Sequence, residues 1–454
     1  MEGKERGMKK LTTGRMWLFA IGQLGWSMMS GLISNWLVYF YQPDVAAKEA
    51  GQTIFVPQGL VILGIFTVVG AITALGRVFD AVTDPWIASL SDKCKSKEGR
   101  RIPFLKYSAL PLAVTTVLVF CAPIGKSSIL NVIWLFVFVM AYYISITAYC
   151  TPYTALIPEL GHDQEERLNI STAISLTFIV GTAFAYLAPV IWGVLEGSLG
   201  RIPAMRVTFT LMAFLAFVCM LIPVIFIKEK EYVQVKPSED SAISSLMKTF
   251  KNSDFRVFVG SDIFYWVALT MFQTGLPFFV TSLLKLPESM STIYFVAMTA
   301  LSLVFYIPVN ILAKKVGKKK LVLLAFFLFS CAFFYTAFLG GEMGISPTVQ
   351  GFILVVAAAF PMAIFGILPH AMVADVSQSD AKRTGENREG MFFAARTFAF
   401  KLGQSISMLI FTALATIGAG SGLGYRVVAV TASVLALIGG IILVFYNERK
   451  VNQG

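Results

Sequence analysis

The chain has 454 residues, of which 56% are apolar and only 14% are Asp, Glu, Lys or Arg. Soluble globular proteins carry about 25% charged residues, so this composition excludes a soluble enzyme, a disordered chain and a disulfide-built domain. The net charge of +11 does not indicate nucleic-acid binding, because the basic residues are interleaved between apolar runs. The five cysteines form no CxxC pair, so we expect neither a disulfide framework nor a zinc site.

Apolar runs of roughly 20 residues recur along the chain and match the ~30 Å hydrocarbon thickness of a bilayer. Each run is expected to be an α-helix, because lipid offers no hydrogen-bond partner to an open backbone. The predicted fold class is therefore an all-α polytopic membrane protein with twelve transmembrane helices in two six-helix bundles. The predicted spans are 16–41, 58–90, 103–123, 129–156, 168–195, 206–227, 255–284, 290–313, 321–340, 350–374, 391–418 and 425–446.

A long polar stretch at 228–254 predicts a cytoplasmic central loop between an N-terminal bundle (1–227) and a C-terminal bundle (255–454). Lys and Arg are concentrated in alternate loops, and the positive-inside rule then places both termini in the cytoplasm. We expect a monomeric, multi-pass protein of the plasma (inner) membrane. The loops Ser91–Phe104 and Ala313–Lys320 each place a glycine before a basic cluster. This similarity predicts a parallel internal repeat, with chance resemblance of basic loops as the alternative.

Three charged residues lie inside the second span. Arg77, Asp80 and Asp84 have the spacing i, i+3 and i+7, which places them on one helix face. Ionisable groups at membrane depth are costly and usually functional. Two carboxylates one turn apart repel each other, and a proton or a small hard cation relieves that repulsion. The pattern predicts a cation site at Asp80 and Asp84, with a structural pair between Arg77 and one carboxylate as the alternative.

Lys401 lies about 15 Å inside the eleventh span, too deep to reach the membrane interface easily. We expect it to pair with the acids of the second span or to contact a solute. Thr147 is a weaker candidate for a hydroxyl ligand, because a helical threonine more often bonds its own backbone. Further polar and aromatic side chains within spans are candidates for lining a solute cavity, with packing as the alternative: Gln23, Trp26, Ser27, Asn35, Tyr142, Tyr143, Tyr149, Cys150, Tyr265, Trp266, Thr270 and Gln273.

Charged residues at the predicted cytoplasmic ends of the spans form another set. A network of salt bridges there would close an inner gate, whereas isolated surface pairs contribute little. Topology determination by solvated loop charges is the alternative. The set consists of Asp92, Arg100, Arg101, Glu159, Arg167, Asp375 and Arg388.

Four segments together carry a family resemblance. Arg77–Pro85 lies in the second span and Gly99–Phe104 follows it, Thr151–Leu160 ends the fourth, and Met372–Asp375 ends the tenth. With them the chain resembles the glycoside–pentoside–hexuronide:cation symporters of the major facilitator superfamily. The resemblance implies the major facilitator fold and transport without enzyme activity. Its implied partners are a small organic solute, a monovalent cation and the lipid bilayer, with no nucleic acid.

The resemblance also implies roles for individual residues. Asp80, Asp84 and Thr147 correspond to the cation ligands of the family, and Lys401 and Arg77 to the charged residues that work with them. No cofactor is implied, and the coupling cation is Na⁺, H⁺ or Li⁺. We therefore expect a symporter that imports its solute by alternating access.

The sugar-binding residues of melibiose-type members are not kept in this chain. The positions that carry their acidic, basic and aromatic partners are here Leu24, Cys150, Thr154, Ser175 and Gly366. Since a sugar needs convergent hydrogen-bond partners, a melibiose-like galactoside is not expected. Another glycoside, a sugar or a uronide is predicted, with an amphiphile such as a lysophospholipid as the alternative. A drug-exporting antiporter or a membrane receptor is the third hypothesis.

Overall fold

The computed structural model describes residues 10–161, 164–232, 249–341, 344–385, 389–418 and 420–453. Within these residues the regular structure is helical, and strand-like pairing is limited to one bridge between Ile62 and Phe66. Eleven helices of the described part are long and apolar enough to cross a membrane. The twelfth long helix, Val68–Asp92, carries the charges of the second span. The predicted all-α, twelve-helix fold is confirmed.

The helices of the N-terminal half are α1 (Thr13–Tyr41), α2 (Val45–Glu49), α3 (Val68–Asp92), α4 (Ile102–Val119), α5 (Ile129–Leu160), α6 (Gln164–Tyr186), α7 (Ala188–Leu199), α8 (Arg201–Phe226) and α9 (Glu229–Tyr232). Those of the C-terminal half are α10 (Ser253–Phe278, continued by a π-helical turn at Phe279–Leu283), α11 (Ser289–Val316), α12 (Lys318–Thr336), α13 (Pro347–Thr384), α14 (Glu389–Leu414), α15 (Leu423–Val444) and α16 (Glu448–Gln453).

The predicted start of the second span, at residue 58, is wrong. The helix begins at Val68, and the residues before it form turns. Gly59 and Gly64 there have φ of 85° and 71°, which a right-handed helix does not allow. The fifth span is also interrupted, because α6 ends at Tyr186 and α7 begins at Ala188, directly before a proline. Proline has no N–H to continue the hydrogen-bond ladder, so it is accommodated at the first turn of a new helix.

The described residues pack as two compact units. The first contains Met1–Leu37, Val82–Ile124 and Leu130–Glu239, and its core includes the edge-to-face pair of Trp36 and Trp192, with ring centroids 5.0 Å apart. The second contains Val38–Ala81, Gly125–Ile129 and Asp240–Gly454. Its core includes Phe365, whose ring stacks on Tyr265 at 4.1 Å. Both cores depend on aromatic packing, which provides large contact areas where lipid gives little hydrophobic driving force.

Small residues of α6 allow α1 to approach closely. A Cβ atom at Gly181 would lie 2.0 Å from Ser27 Oγ and 2.5 Å from the Leu24 carbonyl oxygen. One turn later, the Ala185 carbonyl accepts a 2.8 Å hydrogen bond from Trp36 Nε1. Gly181, Ala185, Pro189 and Gly193 recur at every fourth residue of the fifth span, and the first two of these positions contact α1 closely. Gly193, further along the same repeat, has no described atom within 4 Å of such a Cβ.

We expect Gly181→Ala to destabilise the protein by about 2 kcal/mol, because the added methyl group overlaps backbone of α1. Gly193→Ala is the matched control and should be neutral or slightly stabilising, since alanine favours a helix over glycine. Thermal unfolding of the two variants in the same detergent measures the difference. Equal melting temperatures would show that α1 and α6 are not in this close contact.

Candidate functional site

The charged residues of α3 lie on the face opposite its lipid-facing side chains. Leu75, Val82 and Trp86 are 54%, 62% and 55% exposed and recur at helical spacing. Asp80 is 4% exposed, and it lies in the middle of the 25-residue helix. Twelve residues from either end correspond to about 18 Å, so the carboxylate lies at the middle of a helix that is long enough to cross a bilayer.

Asp80 forms an ion pair with Lys401 of α14, and both belong to the second unit. Lys401 Nζ is 2.9 Å from Asp80 Oδ2, and both side chains are largely buried. The neighbouring Ser405 hydroxyl donates a 3.0 Å hydrogen bond to the Ala74 carbonyl of α3. The ion pair suggested by the depth of Lys401 is therefore present. Removing one partner of such a buried pair takes an opposite charge at short distance away from the other, which is destabilising in a buried position.

Asp84 is one turn further along α3, in the first unit, and contacts α5. Its Oδ1 accepts a 3.1 Å hydrogen bond from the Thr151 hydroxyl. Thr147, the predicted hydroxyl ligand, is buried one turn before Thr151 on the same helix. The spacing places both hydroxyls on the same side of α5. Carboxylate and hydroxyl oxygens are the kind of ligands that small hard cations prefer. Sequence reasoning overlooked Thr151, although its i+4 relation to Thr147 was visible.

Several predicted solute-contacting residues of the first unit take part in helix packing. The Tyr149 hydroxyl is buried and donates to the Met220 carbonyl at 2.9 Å. The Ser27 hydroxyl donates to the Leu24 carbonyl at 3.1 Å. Gln23 is buried, and its backbone N–H donates to the Tyr153 hydroxyl at 3.1 Å. Cys150 is half-buried. The role of these residues in solute binding stays a prediction, as does that of Trp266 and Gln273 on α10.

Four of the predicted gate residues form one cluster in the first unit. Arg101 contacts Asp92 at 2.5 Å and Glu159 at 3.1 Å. Arg100 contacts the same oxygen of Glu159 at 3.2 Å. The Glu229 carboxylate accepts hydrogen bonds of 2.8, 2.8 and 3.0 Å from the backbone N–H groups of residues 100, 101 and 102. Glu229 thereby satisfies N–H groups at the start of α4 that the helix itself leaves unpaired.

The second unit repeats this arrangement. Lys318 Nζ is 2.5 Å from Asp375 Oδ2, and the Lys318 backbone N–H donates to Glu448 at 2.7 Å. Gly99 and Gly317 precede the two helix starts with φ of 130° and 95°, in the conformational region that favours glycine. Glu229 follows α8, and Glu448 follows α15, so each carboxylate comes directly after the last long helix of its half. These contacts support the internal repeat predicted from the loops.

Arg167 and Arg388 are the other two predicted gate residues. Arg167 Nε donates to the Gly161 carbonyl at 2.9 Å. Arg388 lies outside the described residues. The gate function of the whole set remains a prediction.

Glu229→Ala is expected to lower the free energy of unfolding by about 3 kcal/mol, because it leaves buried N–H groups of α4 without their charged acceptor. Glu231→Ala removes a nearby carboxylate whose side chain is 30% exposed, so that water screens its interactions. This control should cost less than about 1 kcal/mol. Chemical unfolding in detergent compares the two variants, and an equal loss in both would contradict the role given to Glu229.

Two buried carboxylates were missed from the sequence. Asp262 of α10 binds Arg396 of α14 in a bidentate pair, with N–O distances of 2.7 and 3.0 Å. Both side chains are at most 5% exposed. Asp44 accepts a 2.6 Å hydrogen bond from the Thr281 hydroxyl and caps α2 through the Ala47 N–H. A sequence signal existed for the first pair, since Asp262 and Arg396 are both charges at predicted span positions.

Comparisons with known proteins agree with this architecture. A family model described as MFS/sugar transport protein matches residues 18–447. The uncharacterized symporter YjmB of Bacillus subtilis is 26% identical over 96% of this chain and 89% of its own length. The isoprimeverose transporter of Lactiplantibacillus pentosus is 22% identical over 86% of this chain and 77% of its own. A solved bacterial homologue of the human lysosomal transporter Spinster shares the fold, with a TM-score of 0.66, 13% identity, and coverage of 97% of this chain and 96% of that one.

Proposed function

The chain belongs to the MFS/sugar transport protein family, and from this premise we propose that it is a cation-coupled symporter that imports a glycoside, sugar or uronide by alternating access. As a member of that family it is a multi-pass membrane transporter and not an enzyme. Its relatives are named as symporters, and one of them as an isoprimeverose transporter. Coupling to a cation and the class of solute are the parts proposed for this chain.

The observation that carries the proposal is the buried pair of Asp80 and Lys401, with Asp84 one turn away on the same helix. A cation at the two aspartates competes with the Lys401 ammonium group for the Asp80 carboxylate. Cation binding therefore weakens the ion pair and changes how α3 and α14 are held together. Such a change provides the differential interaction that coupling between two ligands requires.

Hydroxyl groups of α5 are proposed as further cation ligands at Asp84, within the first unit. Thr151 already donates to Asp84, and Thr147 lies one turn before it. A hydroxyl group can act as a donor or as a cation ligand, because its hydrogen rotates about the C–O bond and leaves the oxygen lone pairs free to face the cation. Na⁺ and Li⁺ use such oxygen ligands, whereas a coupling proton needs only one of the carboxylates.

The salt bridges between predicted gate residues are consistent with alternating access. Arg100 and Arg101 with Asp92 and Glu159 form one cluster, and Lys318 with Asp375 forms its counterpart in the second unit. Each cluster fixes the start of a helix that follows a short basic loop. We assign them the role of inner gate residues, which hold charged partners in place while the solute site is closed to the cytoplasm.

Uptake by the purified full-length protein in proteoliposomes tests the function. An inward gradient of Na⁺, Li⁺ or H⁺ is imposed separately, and accumulation of radiolabelled sugars, a uronide and a lysophospholipid is followed. The proposal expects accumulation of a sugar or uronide under at least one cation gradient, and its abolition when an ionophore collapses that gradient. Accumulation of the lysophospholipid alone would establish the amphiphile alternative. Accumulation that is the same with and without each of the three cation gradients would refute symport.

A further inference from the structure

A groove lies between helices α4 and α5 of the first unit. Contacts join the two helices on either side of it. The Trp134 Nε1–H of α5 donates to the Leu118 carbonyl of α4 at 2.8 Å, and Arg100, just before α4, contacts Glu159 of α5 at 3.2 Å. The groove between these contacts has a volume of about 610 Å³. This volume is in the range of ligand pockets, which is roughly 300–1,000 Å³.

The walls of the groove are apolar. They include Phe104, Tyr107 and Pro111 of α4 and Ile144 and Ala148 of α5. Two serines also line it, Ser108 and Ser145, and each donates to the carbonyl four residues earlier on its own helix, at 2.6 and 2.7 Å. Because these hydroxyls already have acceptors, the helical walls favour a hydrocarbon chain over a polar solute.

The groove opens towards lipid and is about as deep as one leaflet. Tyr107, Leu110 and Val114 of α4 are 72%, 55% and 45% exposed and recur at helical spacing, so this face of the helix is directed at the surrounding lipid. The groove follows α4 from Pro103 to Pro111. Eight residues of helix rise about 12 Å, and the hydrocarbon of one leaflet is ~15 Å deep. The length of the groove therefore matches an acyl chain of one leaflet.

A basic loop borders the same groove before α4 begins. Cys94 and Ser96 line the groove, and Lys93, Lys95 and Lys97 alternate with them along the chain. The three lysines are exposed, and their ammonium groups have no carboxylate partner in the described part of the protein. The loop is on the side of the membrane that we expect to face the cytoplasm, where anionic lipids create a negative surface potential.

We propose that this groove binds an anionic phospholipid, with one acyl chain between α4 and α5 and the phosphate group at Lys93, Lys95 and Lys97. The inference is independent of the proposed cation and solute sites. The lysines complement a phosphate, and the apolar walls complement a chain, so the two features together select a ligand that has both. A zwitterionic lipid is disfavoured, because its cationic group would be repelled by the same lysines.

The rim of the groove also fits the boundary between hydrocarbon and head groups. Tyr107 lines the groove and is mostly exposed, and tyrosine is enriched at membrane interfaces. Lys106 beside it has its ammonium group 5.9 Å from the centre of the Tyr107 ring and is paired with Glu98 at 2.6 Å. Lys106 is therefore already neutralised, and the unpaired lysines of the loop remain for the phosphate.

A bound lipid contacts the part of α4 that follows the inner salt-bridge cluster. Pro103 and Phe104 line the groove two and three residues after Arg101, which is paired with Asp92 and Glu159. The lipid therefore restrains the same helix start as these ion pairs. A ligand that binds only the folded protein stabilises it by mass action. Binding should thus appear as a higher melting temperature.

Lipid binding is measured on the delipidated full-length protein in detergent micelles. Dioleoylphosphatidylglycerol is the anionic probe, and dioleoylphosphatidylcholine is the zwitterionic probe with the same chains. Glycerol phosphate is the head-group probe without chains. The melting temperature as a function of lipid concentration gives an apparent affinity, and native mass spectrometry counts the lipids retained. We expect phosphatidylglycerol to bind more tightly than phosphatidylcholine, and glycerol phosphate not to stabilise the protein. Equal affinity for the two lipids, or equal stabilisation by glycerol phosphate, would overturn the site.

Charge substitutions test the head-group part of the site. Lys95→Gln/Lys97→Gln should weaken phosphatidylglycerol binding roughly 10- to 30-fold at low ionic strength. Lys314→Gln/Lys315→Gln is the matched control, because it removes two exposed charges from the corresponding basic loop of the second unit. Its affinity for the lipid should equal that of the wild type. An equal loss in both double variants would mean general attraction of anionic lipid to a basic protein, and would overturn the inference.

A bulky substitution tests the part that holds the chain. Ile144→Trp fills the groove and should weaken phosphatidylglycerol binding at least tenfold. Val137→Trp places the same ring on α5 two turns away, at a position that is 50% exposed, and should bind like the wild type. The melting temperature without lipid checks that each variant is folded. Wild-type affinity in Ile144→Trp would show that the chain does not lie between α4 and α5.

Discussion

Asp80→Asn is expected to reduce cation-driven accumulation of the solute by roughly 100-fold, the upper range of coupling between two binding sites. The asparagine keeps the shape of the side chain but removes the charge that attracts both the cation and Lys401. The protein should still exchange labelled for unlabelled solute at equal concentrations, because exchange involves no net movement of the cation. Proteoliposome accumulation and equilibrium exchange, measured on the same preparation, separate the two activities.

The structural and coupling contributions of this pair can be told apart. Asp80→Asn leaves the Lys401 charge buried without its partner, which by itself destabilises a protein. The double variant Asp80→Asn/Lys401→Met removes that charge and should recover stability without recovering accumulation. Asp254→Asn is the control, because its carboxylate pairs with the exposed Lys450 at 2.9 Å. Undiminished accumulation by Asp80→Asn would refute the cation site, and recovered accumulation in the double variant would reduce the pair to a structural role.

Asp262→Leu is expected to destabilise the fold by about 4 kcal/mol, because it strands the Arg396 guanidinium group in a buried position. Arg396→Met should have a similar effect, because it removes the cation that pairs with the buried Asp262 carboxylate. The double variant Asp262→Leu/Arg396→Met should regain most of the loss, since an apolar pair of similar volume avoids the desolvation of both charges. Urea or thermal unfolding of all three variants in detergent completes a double-mutant cycle.

The exposed pair of Glu98 and Lys106 provides the contrast for this cycle. Its N–O distance of 2.6 Å is as short as that of the buried pair, but the side chains are 46% and 43% exposed. Glu98→Gln should leave the melting temperature unchanged, because water screens and replaces the interaction. If Asp262→Leu were as mild as Glu98→Gln, the buried pair would not hold α10 and α14 together.

The acids of α3 show which features of the site could be predicted from the sequence and which could not. The spacing of Arg77, Asp80 and Asp84 determined their common face, and a single helix needs no other information for that. The depth of Lys401 indicated a buried partner. The choice of Asp80 rather than Asp84 as that partner could not be read from spacing, because it depends on how α14 packs against α3. The start of α3 was misplaced because apolar residues continue upstream through glycines with positive φ.

The buried polar residues of α10 and α14 show what could not be predicted from the sequence. Trp266 and Thr270 were candidates, but so were other polar residues of the spans, such as Tyr149 and Ser27. In the structure the Tyr149 hydroxyl bonds to a carbonyl of α8 and the Ser27 hydroxyl to a carbonyl of its own helix, whereas the hydroxyl of Thr270 has no hydrogen-bond partner among the described residues. Gln404 was not singled out, since nothing local distinguishes an amide that faces a neighbouring helix from one that is solvated.

The sequence by itself determined the membrane class, the number of helices and the face on which charges of one helix lie. These properties depend on composition and on the 3.6-residue period, which act within single segments of chain. The tertiary structure decided which charges pair, which carboxylates cap the helix starts after Gly99 and Gly317, and which polar groups stay without a partner. Those outcomes depend on the register between helices distant in sequence, because an ion pair or a hydrogen bond forms only within a few ångström.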